Sequence, residues 1–355
     1  MLQKYPPVSF YAYIDQISID QVNLQTVILY NEHEVRQGGN KEDIGRGYNL
    51  WIDIADPSPI EILAIQKNFD LDTKTLETFI HKSKKPQVRL LDSYTFTLIL
   101  DLKYKSFGTL VTEAIYLFCG RGWLITIHSS EVDLMVNTHI LFEQKNKKIM
   151  EATIDALHYS IITEIISRYE LLLTSIELTI TEFEQKSLHK KVSKKMLDSL
   201  DTLTKQIIIL RRQFWHARDI INFLTHMEKD KEEVKYLQIA YDDISQLIEL
   251  VESFRDTINS TRDLYMANVS LQMNDTMKTL TIFTVILLPL TLIAGVYGMN
   301  GVDLANLGSI STGFITILTL MIAVAAFLFW YFRKKQWIMA EEQEEAIHSS
   351  LFFSI

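Results

Sequence analysis

The sequence predicts an α+β cytosolic domain followed by a long stalk helix and two transmembrane helices. Strand-like and helix-like segments alternate over the first 130 residues, as in a mixed domain. Between Glu131 and Tyr297 the only glycine or proline residues are Pro289 and Gly295, which favours long helices. Two uncharged apolar segments close to the C-terminus indicate membrane spans.

Residues 1–130 are assigned to a cytosolic α/β domain. Four segments rich in β-branched and aromatic residues predict strands: 48–54, 94–100, 114–118 and 123–127. The last two flank Gly120-Arg121-Gly122, which predicts a hairpin turn, and residues 61–69 predict a helix. Residues 38–40 and 45–47 match no phosphate-binding fingerprint and are predicted to be plain loop. Residues 131–240, which fit a helical period, are assigned to a cytosolic helical region.

The membrane part is assigned from two segments, Leu280 to Tyr297 and Gly313 to Phe332. Neither contains an ionisable side chain other than a tyrosine near its end, and each approaches the roughly 20 residues that cross a bilayer. The resulting assignment is a long stalk helix at 241–298 that continues into transmembrane helix 1 (280–298), an external loop at 299–312, transmembrane helix 2 at 313–332, and a basic then acidic cytosolic tail at 333–355.

The flanking charges indicate the orientation of the spans. Arg333, Lys334 and Lys335 follow the second span and Lys278 precedes the first, whereas residues 301–312 contain no lysine or arginine. Because basic residues accumulate on the cytosolic side, both termini are expected in the cytosol. The predicted location is the cell (inner) membrane, with a multi-pass topology.

Composition and motifs exclude several other classes of protein. A net charge of −9 gives no support for nucleic-acid binding. Cys119 is the only cysteine, which excludes an intrachain disulfide and a cysteine-based metal cluster. The nine histidines form no metalloprotease or nucleophile motif, so the chain is not expected to be an enzyme.

One face of the stalk helix and first span is unusually polar. Alternating steps of four and three residues from Asp242 define this polar face, which carries polar or small residues at most positions. Its further members are Gln246, Glu249, Ser253, Asp256, Ser260, Asp263, Ala267, Ser270, Asn274, Met277, Thr281, Thr284, Leu288, Thr291, Gly295 and Gly298. Apolar residues flank the face at Ile244, Ile248, Val251, Ile258, Leu264 and Val269.

The continuation of the polar face into the membrane indicates a water-filled path. In the cytosolic half, simple exposure to solvent also explains a polar surface. Within a span, small residues and hydroxyls can instead serve helix packing or bond to their own backbone. One helix cannot enclose a pore, so the path requires a symmetric ring of subunits. From Asp242 to Gly298 the helix is about 85 Å long at the helical rise.

The end of the first span carries a recognisable signature. Tyr297-Gly298-Met299-Asn300, with 277–281 and 289–295 before it, resembles the CorA family of divalent metal-ion transporters. Trp51-Ile52-Asp53, 85–88 and 254–256 lie where that family has similar elements, so the resemblance covers nearly the whole chain. It implies a funnel-shaped homopentamer with the long helix as its inner wall.

The resemblance also implies roles for individual residues. Asn300, with Gly298 and Met299, would bind the hydrated cation at the outer mouth. The implied pore-lining and gate residues are Asn274, Met277, Leu280, Thr281, Thr284, Leu288, Thr291 and Gly295. Leu288 stands where relatives often carry methionine. Neutral amides and hydroxyls suit Mg²⁺, which keeps several of its waters, and apolar rings at Met277 and Leu280 could close the path by dewetting.

Two positions depart from the family pattern. The outer loop offers only Asp303, whereas relatives commonly carry more acidic residues there, and Ile239 replaces an aspartate with which some relatives sense Mg²⁺. Asp242, Asp256 and Asp263 are the remaining candidates for a regulatory metal site, with a solvated helix face as the alternative.

Three functions are compared. The first is a channel-like route for Mg²⁺, with Co²⁺ or Ni²⁺ as further candidates. The second is a ZntB-type Zn²⁺ transporter with or without proton coupling, although neither span contains the carboxylate that a proton relay needs. The third is a membrane-anchored sensor or scaffold, against which the polar face argues. The expected partners are further copies of the chain, the lipid bilayer and divalent cations. No resident cofactor is expected; the metal ion is cargo and a candidate regulator.

Overall fold

The computed structural model describes residues 26–80, 82–106, 108–188, 194–298, 310–335 and 337. The chain divides into two units, and the division falls inside a long helix in the C-terminal half of the chain. Described residues up to Arg262 belong to the first unit, and those from Asp263 onward belong to the second. Each unit is described by itself.

A mixed sheet forms the centre of the first unit. Its described strands are β1 (Thr26–Tyr30), β2 (Val35–Gln37), β3 (Asn49–Ala55), β4 (Gln87–Leu90), β5 (Tyr94–Ser106), β6 (Thr109–Gly120) and β7 (Trp123–His128). They are arranged in the order β2-β1-β3-β7-β6-β5-β4. The β3–β7 pair is parallel and the other pairs are antiparallel.

The predicted hairpin between β6 and β7 is confirmed. Gly120 pairs with Trp123, so Arg121 and Gly122 form the turn. Gly122 has a φ of 81°, a left-handed conformation that glycine adopts without steric cost. Its carbonyl accepts a hydrogen bond from the Leu50 amide at 2.9 Å, which ties the turn to the start of β3.

Helices cover the sheet and extend beyond it. They are α1 (Pro59–Phe69), α2 (Thr73–Ile80), α3 (Leu134–Glu143), α4 (Lys147–Met150), α5 (Ile154–Leu188) and α6 (Lys194–Met227). A capping box starts α1: the Ser58 hydroxyl accepts from the Glu61 amide at 3.3 Å, and the Glu61 carboxylate accepts from the Ser58 amide at 2.6 Å. Residues 45 and 46, predicted to be loop, instead end a 3-10 helix at Lys41–Arg46 that Asn40 caps.

The core joins α5 and α6 to the sheet. Tyr169 of α5 stacks on Phe214 of α6 with ring centroids 4.8 Å apart, and both side chains are fully buried. The Tyr169 hydroxyl donates to the Leu100 carbonyl of β5 at 2.5 Å. One aromatic side chain of α5 therefore contacts both α6 and β5, and its hydroxyl has a hydrogen-bond acceptor.

The long helix α7 extends over Lys231–Gly298, and α8 extends over Ile310–Lys334. The predicted start of the stalk helix at residue 241 is wrong. Helix begins at Lys231 because the Asp230 carboxylate accepts from the amides of Glu232 at 2.8 Å and Glu233 at 3.3 Å, which caps it. The region predicted as 131–240 therefore overlaps α7, and α8 begins three residues before the predicted Gly313. Among the described residues, α7 and α8 each contain a segment long and apolar enough to cross a membrane.

Candidate ion pathway on the long helix

The polar face of α7 is exposed in the chain at every position from Asp242 to Gly298. In the first unit this separates it sharply from its flank, where Ile244, Ile248 and Val251 are buried. Leu264, which the sequence placed on the apolar flank, is 42% exposed instead. In the second unit most side chains of α7 are exposed, so exposure alone does not distinguish the face there.

Ion pairs fasten α7 to α6 through residues beside the polar face. Arg211 of α6 pairs with Glu252, and Asp201 of α6 lies 3.6 Å from Arg262. Among the residues that the structure describes, no ion pair of α7 involves Asp242, Asp256 or Asp263. Within the described part of the chain, the three acidic candidates are therefore exposed carboxylates without an ion-pair partner.

The threonines of the span donate their hydroxyl protons to the helix itself. Thr281 donates to the Met277 carbonyl at 2.7 Å, Thr284 to the Leu280 carbonyl at 2.9 Å, and Thr291 to the Leu287 carbonyl at 2.8 Å. This is the back-bonding named as an alternative above. It leaves the oxygen lone pairs as acceptors. Acceptors suit a hydrated cation, because the waters of its shell point their protons outward.

Apolar side chains interrupt the hydroxyls along the same helix. Met277 is 61% exposed, and Leu280 and Leu288 are each 66% exposed. Leu280 lies beside the polar face and the other two lie on it. Asn274, one turn before Met277, supplies an exposed amide. The helix thus presents amide, thioether, hydroxyl and aliphatic groups in succession.

Two glycines of the polar face, Gly295 and Gly298, lie at the end of α7. No heavy atom lies within 4 Å of the place where a Cβ would stand on Gly295 or Gly298. Their lack of a side chain therefore meets no packing need inside the described part of the chain. Met299, Asn300 and Asp303, which carry the predicted outer mouth and loop, lie outside the described residues.

The carboxylates of α7 do not form a metal site within one chain. Among the described residues, no group of three or more His, Cys, Asp or Glu side chains is placed to hold a metal ion. Asp242, Asp256 and Asp263 follow one another along a helix rather than converging on a point. Within the described residues, these three carboxylates therefore give no metal site by themselves.

The sequence patterns missed a buried polar cluster in the first unit. Asp53, quoted above only as part of the signature resemblance, contacts His128 and His139. His128 and His139 follow Asp53 by 75 and 86 residues in the sequence, so no local pattern reveals these contacts.

A mixed α+β unit, a long helix with a polar face, and two helices apolar enough to cross a membrane are the features expected of a membrane transporter. The chain belongs to the CorA-like Mg²⁺ transporter family, whose model matches residues 47–334. The resemblance stated from the signature is therefore confirmed. So is the prediction that the chain is not an enzyme, because the family consists of transporters.

Individual proteins agree with the family. The chain is 27% identical over 293 residues to a cobalt/magnesium transport protein CorA of Thermotoga maritima, covering 81% of this chain and 83% of that protein. The complete CorA magnesium transporter of Methanocaldococcus jannaschii matches with a TM-score of 0.76 at 24% identity, over 88% of this chain and 98% of the other. The ZntB cytoplasmic domain of Vibrio parahaemolyticus matches with a TM-score of 0.55 at 13% identity, over 69% and 98%. The last two show the fold alone.

Proposed function

We propose that the protein is a homopentameric, channel-like route for Mg²⁺ uptake through a central pore lined by the polar face of α7. The observation that carries this proposal is that the exposed face keeps hydroxyl and small side chains through an otherwise apolar span. The 27% identical cobalt/magnesium transport protein supports Mg²⁺ and Co²⁺ as cargo, with Ni²⁺ as a further candidate.

The physical argument for a ring is the environment that the polar face needs. Lipid supplies no partner for the lone pairs of Thr281, Thr284 and Thr291, whereas an aqueous lumen does. Copies related by a closed rotation would turn this face inward and leave the apolar side of α7 toward α8 and lipid. The number five comes from the family resemblance and not from the chain's own geometry.

The proposed path separates binding from gating. Asn300 receives the hydrated ion through its amide oxygen, with Gly298 and Met299 shaping the mouth. Threonine oxygens then accept hydrogen bonds from the hydration shell, and Met277 and Leu280 close the path by excluding water. The external loop faces outward and both termini lie in the cytosol, a topology supported by Arg333 and Lys334 in the last turn of α8 and by Lys335 directly after it.

Flux measurements on purified protein in proteoliposomes test this function. Uptake of Mg²⁺, Co²⁺, Ni²⁺ and Zn²⁺ is measured separately, with and without a pH gradient, against protein-free vesicles. We expect Mg²⁺ uptake that follows its own gradient and the membrane potential. Zn²⁺ uptake that needs the pH gradient, with no Mg²⁺ uptake, would instead support a ZntB-type transporter. Absence of flux for all four ions would favour the sensor or scaffold.

A further inference from the structure

A buried polar cluster at the ends of β3 and β7 has no part in the proposed pore. It contains Asp53 on β3, Thr126 and His128 on β7, and His139 on α3. Asp53 is 7% exposed and His128 is 6% exposed. Because a buried charge is costly unless it is paired, the hydrogen bonds of this cluster determine whether it can form.

Asp53 is an ionised acceptor surrounded by donors. One carboxylate oxygen accepts from the Thr126 hydroxyl and lies 3.1 Å from His128 Nε2, and the other lies 2.7 Å from His139 Nε2. Trp51 Nε1 donates to Thr126 Oγ1 at 3.2 Å, which leaves the hydroxyl proton for Asp53. Burial alone would raise the pKa of Asp53, but the hydrogen bonds from His128, His139 and Thr126 lower it to about 2.

Both ring nitrogens of His128 face acceptors. Nε2 faces Asp53, and Nδ1 lies 2.7 Å from the Ser129 carbonyl oxygen. A neutral imidazole has a single N–H, so only the imidazolium can donate to both. The Ser129 carbonyl also accepts from the Val132 amide at 2.9 Å. The charged ring therefore holds both β3 and the turn that leads into α3.

The surrounding charges favour the imidazolium. Burial lowers the pKa of His128, but the hydrogen bond and charge of Asp53, the Ser129 carbonyl and the charge of Asp56 together raise it above its ordinary value. Asp56, in the turn after β3, accepts a hydrogen bond from the Ser130 amide at 3.1 Å. The hydrogen bonds from Ser130 lower the pKa of Asp56, and the charge of Lys82 contributes in the same direction. On α3, His139 is the titratable residue that contacts Asp53.

We propose that Asp53, His128 and His139 form a proton-dependent latch that fastens α3 and its preceding turn to the ends of β3 and β7. Loss of the His128 proton removes one of the two hydrogen bonds that its ring donates and takes from Asp53 its buried counter-charge. A rise in cytosolic pH therefore releases the latch. This inference does not depend on which ion the protein transports.

The sign of the pH dependence follows from the two shifted groups. The pKa of His128 is raised from 6.5, so its contribution is complete below that value and is lost as pH rises through the folded-state pKa. The pKa of Asp53 is lowered from 3.8, so its contribution is present above that value and is lost only as pH falls toward about 2. Physiological alkalinisation thus acts through His128.

Release is local rather than global. His139 stacks on Trp51 with ring centroids 4.5 Å apart, and α3 buries Leu134, Met135 and Phe142. The contacts of Leu134, Met135 and Phe142 involve no titratable group, so they continue to hold α3 to the first unit for most of the time after His128 loses its proton. We therefore expect α3 to open more often while the sheet keeps its structure, a sub-global transition of the kind that amide exchange detects.

Hydrogen exchange on the full-length protein in detergent tests the latch. Protection of α3 peptides is measured from pH 6 to 9, corrected for the intrinsic rate, with α6 as the internal reference. We expect α3 to lose protection as pH rises while α6 does not. His128→Gln keeps a donor to Asp53 but cannot change charge, so the pH dependence should disappear. His226→Gln, at an exposed histidine whose ring faces the Asn222 carbonyl, is the matched control and should retain it.

Two results would overturn the latch: α3 protection independent of pH in the unmodified protein, or the same dependence in His128→Gln. A folding failure of that variant does not block the test. Magnetic resonance of isotope-labelled histidine in the unmodified protein reports the ring directly. At pH 6 we expect both nitrogens of His128 to be protonated, and a neutral single tautomer would refute the proposal.

Discussion

Replacing Thr291 with valine is expected to reduce cation flux without disturbing the helix. Valine keeps the branched shape of threonine and removes only the hydroxyl. That hydroxyl is exposed and donates to the Leu287 carbonyl at 2.8 Å, within its own helix. The backbone bonds of α7 do not depend on it, so the variant should assemble normally.

The magnitude follows from the acceptor that is lost. A hydrogen bond of this kind contributes about 1 kcal/mol net. A hydrated ion that contacts two hydroxyls of a ring would then meet a barrier about 2 kcal/mol higher, which corresponds to a roughly 30-fold slower flux. Thr291→Ser retains the oxygen and should restore most of the rate.

Thr319 on α8 provides the matched control. It is also an exposed threonine in an apolar span, and it donates to the Ile315 carbonyl at 3.0 Å. Thr319→Val should leave Mg²⁺ flux into proteoliposomes unchanged when rates are normalised to assembled protein. The reasoning fails if Thr291→Val transports at the unmodified rate, or if both valine variants lose flux equally.

Four further predictions concern the mouth, the assembly, the regulation and the start of α7. Asn300→Ala should abolish uptake with assembly intact, and wild-type uptake would remove its assigned role. Native mass spectrometry should show five copies, and a stable monomer or dimer would contradict the ring. Asp256→Asn with Asp263→Asn should leave the pore open at internal Mg²⁺ levels that close the unmodified protein; closure over the same range would place the sensor elsewhere. Asp230→Ala, which removes the cap of α7, should lower the free energy of unfolding by about 1 kcal/mol in chemical denaturation, whereas no change would show that the cap is dispensable.

The two apolar helices, the hairpin and the part of the polar face up to Asp256 and Ser260 could be predicted because each depends on local sequence. Other features depend on partners that a local pattern does not contain. The strand predicted at 94–100 continues to Ser106 because β6 pairs along it, with Lys103 opposite Val111. The residues that form the latch converge only after β3, β7 and α3 have assembled. Pairing with β6 thus sets the length of β5, and the packing of α3 on the sheet brings distant polar residues together. The periodicity of the sequence predicts neither.

The polar face of α7 follows one heptad pattern through two environments, the first unit and the proposed membrane span. Up to Arg262 the chain covers the apolar flank of the helix and leaves the acidic and hydroxyl side uncovered. In the span, Leu292 is 66% exposed, and the neighbouring Thr291 is also exposed. Lipid accepts the leucine but offers nothing to the threonine oxygen. The threonines occupy the same heptad positions in the sequence as the residues that the first unit leaves uncovered, and this shared pattern is the reason for proposing one closed ring of copies with water along its axis.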